Sequence, residues 1–160
     1  MEEKDPRFQP LEERDGVAII PDRWKVDFFT SMGELSRFFI ELKENGRLMG
    51  TRCGRCGAVY CYPRSWCHEC YVDCDWVEMS GRGEVVMFSR VEINLSDIQT
   101  APAPFVQGSV RLENARYPMV NFIREAAWED IFPGMPVRAR FLPQEERTGR
   151  IRDFHFVPER

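Results

Sequence analysis

The chain opens on polar, proline-punctuated sequence. Residues 1–23 are charged, and Pro6, Pro10 and Pro21 bracket the only apolar patch among them, Val17-Ala18-Ile19-Ile20. Too little of this stretch is apolar to pack alone, yet four such residues in a row are costly to expose. Residues 1–30 therefore read as an N-terminal arm lying against a neighbour, with Trp24, Phe28 and Phe29 continuing its apolar character. Ser31-Met32-Gly33-Glu34 then has the serine and glutamate spacing of a capping box. Behind it Leu35, Phe38, Phe39 and Leu42 recur at helical spacing until Asn45-Gly46 stops the run. The pattern predicts a helix within residues 31–46 with one strongly apolar, aromatic face. That face can pack on its own domain or on another chain. Because the modules that follow are small, it reads as a docking helix.

Gly46–Gly50 leads as a strand into a cysteine-rich stretch, which Asp75-Trp76-Val77-Glu78-Met79 leaves with alternating polarity. Ser80-Gly81-Arg82-Gly83 predicts a flexible turn and a domain boundary. Five β-runs follow: Glu84–Ile93, Phe105–Leu112, Tyr117–Ile123, Pro136–Leu142 and Ile151–Val157. Pro118 is acceptable at a strand start. Residues 94–104, with Ala-Pro-Ala-Pro, read as an exposed loop, and Ala126–Phe132 as a short helix closed by Pro133-Gly134. Five strands with a helix between the third and fourth is the order of an OB-fold barrel. The predicted fold is thus mainly β: arm (1–30), helix (31–46), a cysteine module (47–80) and a five-stranded barrel (81–160).

The cysteine module carries the chemistry. Cys53-Gly54-Arg55-Cys56 and Cys67-His68-Glu69-Cys70 are two Cys-x2-Cys knuckles separated by ten residues. Each can turn two thiolates towards one centre, and together they supply the four soft ligands of a closed structural zinc site. Gly54 and Gly57 fall where such turns need positive φ or close backbone approach. Iron in a rubredoxin-type site uses the same knuckles, so the metal's identity stays open here. A disulfide framework suits a small secreted chain, but this one opens Met-Glu-Glu-Lys-Asp with no visible signal peptide. A redox Cys-x-x-Cys is expected beside a βαβ pattern, which is absent. Cys61 reads as a small buried hydrophobe, Cys74 as a bystander and His68 as an exposed polar residue.

The totals narrow the function classes. A module of about thirty residues cannot bury much core, so metal binding must supply much of its folding free energy. A net charge of −4 and a pI near 5.3 argue against a general binder of phosphate backbones. No apolar run approaches the roughly 18 residues of a membrane span, and reduced thiols without a targeting segment predict a cytoplasmic protein. No glycine loop resembles a phosphate-binding fingerprint. His68 and His155 are far apart in sequence, and His155 alternates with Phe154 and Phe156 as a satisfied strand residue does. The sequence shows no independent active site.

The ordered combination of a helix, Arg52-Cys53-x-x-Cys56-Gly57, Tyr62-Pro63-Arg64-x-x-Cys67-x-x-Cys70, Trp76-x-x-x-Ser80-Gly-Arg-Gly83 and a barrel with Gly134-Met-Pro-Val137 resembles the DUF35 family. These are acyl-CoA-associated proteins built of a rubredoxin-like zinc ribbon and an OB fold. The resemblance covers roughly residues 34–157, with Tyr62 where the family usually has proline, and leaves residues 1–30 unaccounted for. It implies a non-catalytic partner of a thiolase-fold enzyme, or of a hydratase acting on acyl-CoA, that helps hold acyl-CoA or CoA. Arg52, Arg55 and Arg64, grouped around the ribbon, are then candidates for the nucleotide end of CoA, against the plainer reading of solvation or ion pairs with Glu69. The competing class is a single-stranded nucleic-acid-binding module, since ribbons and OB folds both take that role. It needs a basic groove with stacking aromatics, to which Arg111, Arg116, Arg124, Arg138 and Arg140 offer partly balanced charge.

Overall fold

The structure, a computed structural model, describes residues 10–20, 29–93 and 101–159. It divides into two units, Met1–Ser31 and Met32–Arg160. In the first, β1 (Glu12–Arg14) pairs antiparallel with β2 (Val17–Ile19), with Arg14 opposite Val17. The two-residue loop is Asp15-Gly16, at φ 53° and 76°, the left-handed pair that a type I′ turn requires. The apolar patch expected to lie as an arm is therefore one leg of a hairpin, and Val17 and Ile20 are exposed. Trp24 and Phe28 lie outside the described residues, as do residues 94–100 of the loop expected at 94–104.

The second unit begins with a 3-10 turn, Gly33–Leu35, that runs into α1 (Ser36–Asn45). Neither N-terminus carries a side-chain cap. The expected capping box at Ser31 and Glu34 does not form, because Gly33 takes φ 51° and breaks helical geometry inside it. Ser36 instead donates its hydroxyl to the Gly33 carbonyl at 2.6 Å. The helix ends as predicted, with Gly46 left-handed at φ 58° and its N–H donated to the Glu41 carbonyl. Phe38 and Leu42 are buried in this chain's own core, with Phe39 packed against it. The docking expectation for that face is corrected accordingly: the hydrophobic free energy of its aromatic stripe goes to internal packing.

The cysteine module is a three-stranded sheet in the order β4-β3-β5, from β3 (Met49–Cys53), β4 (Val59–Tyr60) and β5 (Cys74–Glu78). A closed barrel follows, in the order β10-β8-β7-β6-β9. Its strands are β6 (Arg82–Val91), β7 (Phe105–Leu112), β8 (Met119–Ile123), β9 (Pro136–Phe141) and β10 (Phe154–Pro158). Only the β10–β8 pairing is parallel, which closes a Greek-key OB barrel without a free edge. The predicted fold class is the observed one. Helix, ribbon and barrel share a single core in which Phe38 and Leu42 meet Met49 and Val59 of the ribbon and Phe154 and Phe156 of the barrel. The backbone joins them too: the Arg116 N–H donates to the Val59 carbonyl at 2.8 Å.

Several predicted elements shorten: β8 starts at Met119 rather than Tyr117, β9 ends at Phe141 rather than Leu142, and two others lose more. The helix expected over Ala126–Phe132 is one 3-10 turn, Trp128–Asp130, between extended Ala127 and Ile131. Trp128 is held there edge-on to Phe88 at 5.0 Å. The last strand begins at Phe154 because Ile151–Asp153 forms a 3-10 turn. The Asp153 carboxylate, 2% exposed, accepts from the N–H groups of Thr148, Gly149 and Arg150 and from the Thr148 hydroxyl. Burial alone would raise the carboxyl's pKa, but these donors outweigh it and the net direction is down.

Asp153 thus contributes stability that is fully present above the unfolded carboxylate value near 4 and is lost as pH falls through the lower folded value. His155 is also depressed, by burial and then by Arg124. Its contribution is likewise lost on acidification, starting from about pH 6.5. Asp153→Asn is expected to cost about 2 kcal/mol at neutral pH, since an amide cannot accept four donors at once. Denaturant midpoints from pH 7 to pH 3 check this. The loss should shrink towards pH 3, and a loss independent of pH would contradict it.

Candidate metal centre

The strand β3 delivers Cys53, and the two knuckles repeat one backbone pattern. The Gly57 N–H donates to the Cys53 carbonyl at 2.9 Å, and the Tyr71 N–H to the Cys67 carbonyl at 2.8 Å. Each knuckle closes on a residue with positive φ, Gly57 at 74° and Tyr71 at 56°. The N–H groups of Arg55 and Cys56 point at the Cys53 sulfur, 3.4 and 3.5 Å away. The sulfurs of Cys53, Cys56, Cys67 and Cys70 all lie within 4.8 Å of one another, and Cys56 and Cys67 are 3.8 Å apart. A tetrahedron of sulfurs about 2.3 Å from one zinc has edges of about 3.8 Å, so the donor set fits a structural Zn2+. Four thiolates fill a tetrahedral shell, and the chemistry the ion supplies there is cross-linking of the fold.

The other two cysteines stand apart. Cys61 is buried, its thiol directed at the Met49 carbonyl and pushed up to about 12 by burial. Cys74 lies opposite Cys53 across the sheet, outside the cluster.

A hydrogen-bonded chain leads away from the metal ligands. Tyr60 Oη lies 3.2 Å from the Cys67 sulfur and 3.4 Å from His68 Nδ1, while Tyr117 Oη lies 3.4 Å from His68 Nε2. A thiolate only accepts, so Tyr60 donates to Cys67 and its oxygen is left to accept from His68 Nδ1. The Tyr60 bond pulls the Cys67 thiol down to about 6 and raises the phenol in return. His68, expected as an exposed polar residue, is half-buried between two tyrosines. Tyr117 lies 49 residues from it, and no local pattern announces the meeting.

The three candidate arginines are all exposed, and their settings differ. Arg52 is the one outward residue of β3. Arg55 reaches the Cys70 carbonyl at 3.5 Å. Arg64 is fixed at its backbone by Thr51 Oγ1, at 2.9 Å in both directions, and its guanidinium lies 5.5 Å from the Tyr60 ring centre. Of the three, Arg64 alone lines a cavity of about 380 Å³ between ribbon and barrel, with Tyr62, Pro63, Tyr117 and Pro118. Glu69 pairs with Arg116. On the barrel, Arg111 pairs with Glu84 and Arg140 with Glu125.

Comparison with known proteins follows this division of the chain. Residues 41–76 match the ChsH2 rubredoxin-like zinc ribbon domain, and residues 76–142 the ChsH2 C-terminal OB-fold domain. A DUF35 domain-containing scaffold protein of Methanocaldococcus jannaschii is 32% identical over 107 residues, which cover 66% of this chain and 74% of that one. The chain belongs to the DUF35 family. Two solved structures share its fold. An Ltp2–ChsH2(DUF35) aldolase matches with TM-score 0.62 and 23% identity over 81% of this chain and 98% of its own. A DUF35 protein of unknown function from Sulfolobus solfataricus matches with TM-score 0.57 and 17% identity over 79% and 87%. Among the described residues no helix is long and apolar enough to cross a membrane.

Proposed function

We propose that this DUF35 chain is a non-catalytic accessory subunit of a thiolase-type, acyl-CoA-processing complex, where it stabilises the enzyme subunit and helps bind acyl-CoA or CoA. The observation that carries the reading is the closed four-cysteine centre, whose four sulfurs would fill a metal's coordination and leave no open position for chemistry there. The relatives support it: one is described as a scaffold protein and another as part of an aldolase with a second component. Within the family, the long N-terminal segment and the acidic composition fit the small subunit of benzoylsuccinyl-CoA thiolase, which acts in anaerobic toluene degradation. Reduced ligand thiols suit the cytoplasm.

In this reading the cavity between ribbon and barrel receives the nucleotide end of CoA. Tyr117, exposed and stacked on the buried Tyr60 at 6.3 Å and 23°, offers aromatic surface, and Arg64 offers a charge for a phosphate. Titrating a CoA ester into the assembled complex tests this. Arg64→Ala is expected to weaken ester affinity roughly tenfold, the scale of one lost charge-assisted contact, with an unchanged melting temperature. Unchanged affinity would remove Arg64 from the site. Full thiolysis by the enzyme subunit alone would remove the accessory role.

A further inference from the structure

The two knuckles differ at one telling position. Residue Cys+4 takes positive φ in both and donates the same hydrogen bond, but it is Gly57 in the first and Tyr71 in the second. A left-handed conformation is natural for glycine and strained for a tyrosine. Burial gives little in return, because Tyr71 is 79% exposed. Its ring stacks on Trp66, itself 50% exposed, at 5.9 Å between centres and 18° between planes. Both rings stand beside the metal centre, Trp66 one residue before Cys67 and Tyr71 one after Cys70, so the stack is held rigidly at the surface.

Its electrostatic setting says what it can receive. Asp73 is the partner of Trp66 in an isolated antiparallel bridge outside the sheet, and directly opposed residues project from the same face. Asp73 also lines a cavity of about 250 Å³ with Glu34, Leu35, Thr51, Ser65 and Trp76, where no cation is among the lining residues. Arg37 lies over the Trp76 ring, 5.6 Å from its centre. Asp75, one step along the exposed alternation, has Arg52 as its cross-strand neighbour. Asp73 and Arg55, which reaches the Cys70 carbonyl next to Tyr71, both border the stack. Two ring faces beside the Asp73 carboxylate suit a cation that is flat, weakly hydrated and able to hydrogen-bond that carboxylate. A guanidinium has those properties.

We propose that the Trp66–Tyr71 stack, with Asp73 beside it, is a docking point for an arginine-bearing segment of the enzyme subunit. This rests on the accessory-subunit reading above. The strained tyrosine is kept where glycine would fold better because an exposed, preorganised aromatic pair is an effective interface anchor.

Tyr71→Gly separates folding from docking, since glycine suits the observed φ. Tagged wild-type, Tyr71→Gly and Asp73→Lys chains are expressed in the native host, recovered at two salt concentrations and assayed for retained thiolase-fold enzyme, bound zinc and melting temperature. The expected result is zinc retention and no fall in melting temperature for Tyr71→Gly, with affinity for the enzyme subunit at least tenfold weaker in both variants. Variants that hold the enzyme as tightly as wild type would overturn the docking point and leave the accessory role standing. A wild-type chain recovered without any such enzyme would overturn that role, and the docking point with it. An oligonucleotide bound by wild type and lost in Tyr71→Gly would assign the stack to nucleic acid and also overturn the proposal.

Discussion

Removing the metal with a chelator, or replacing Cys53 with serine, is expected to unfold the ribbon and to take much of the barrel's stability with it. Cys53 and Cys67 are buried, and four sulfurs crowd within 4.8 Å. Without an ion, that arrangement would hold either repelling thiolates or thiols with few and weak acceptors. Structural zinc in small domains contributes about 10–16 kcal/mol of apparent binding free energy, comparable with or above the total stability of an ordinary domain, roughly 5–15 kcal/mol. The loss cannot stay local, because Met49 and Val59 of the ribbon share one core with Phe154 and Phe156 of the barrel. Thermal melting should therefore show a single transition that collapses in Cys53→Ser, while Cys74→Ser keeps one equivalent of zinc and a near-native midpoint. A Cys53→Ser chain that lacks metal, stays folded and loses only activity in the complex would instead assign the metal a functional role.

The second large effect belongs to Gly83. It lies where β6 pairs with both neighbours, opposite Leu112 on β7 and Val137 on β9. A Cβ there would stand 2.4 Å from the Arg111 carbonyl oxygen and 2.9 Å from the Leu112 Cα. Those atoms are backbone, so relief requires moving a strand of a closed barrel. Gly83→Ala is expected to destabilise by about 3 kcal/mol, at the upper end of the overpacking range. Gly54→Ala provides the control, because its Cβ would meet only the Asp75 carboxylate at 4.0 Å. Denaturant midpoints for the two variants check the contrast, and equal midpoints would contradict it.

Where the chemistry is local, the chain could be read directly. The four metal ligands follow from two short spacings, and Phe105–Leu112 becomes a strand with those limits because alternation and β-branching agree. Gly46 ends the helix because left-handed geometry there suits glycine. Readings failed where distant residues decide the outcome. The helix face of Phe38 and Leu42 reads as a docking face because each module alone is too small to cover it. The shared core supplies that cover, and shared cores leave no local trace. Asp153 stops β10 from starting at Ile151 by gathering N–H groups from its own loop. The relay from Cys67 through Tyr60 and His68 to Tyr117 joins three segments, which only the closed fold brings together. The hairpin at Asp15-Gly16 is a different case. Its turn dipeptide was in plain view, but strands of three residues with both faces exposed carry no alternation to frame it.

The most direct test of the account is gentle purification of the tagged chain from its native source, with the mass and stoichiometry of the recovered assembly measured. An accessory subunit predicts a thiolase-fold enzyme at a fixed ratio, with zinc retained and CoA-ester chemistry present in the assembly and absent from the isolated chain. A zinc-loaded chain that comes out alone, or carrying nucleic acid, would leave the metal centre standing and contradict the proposed function.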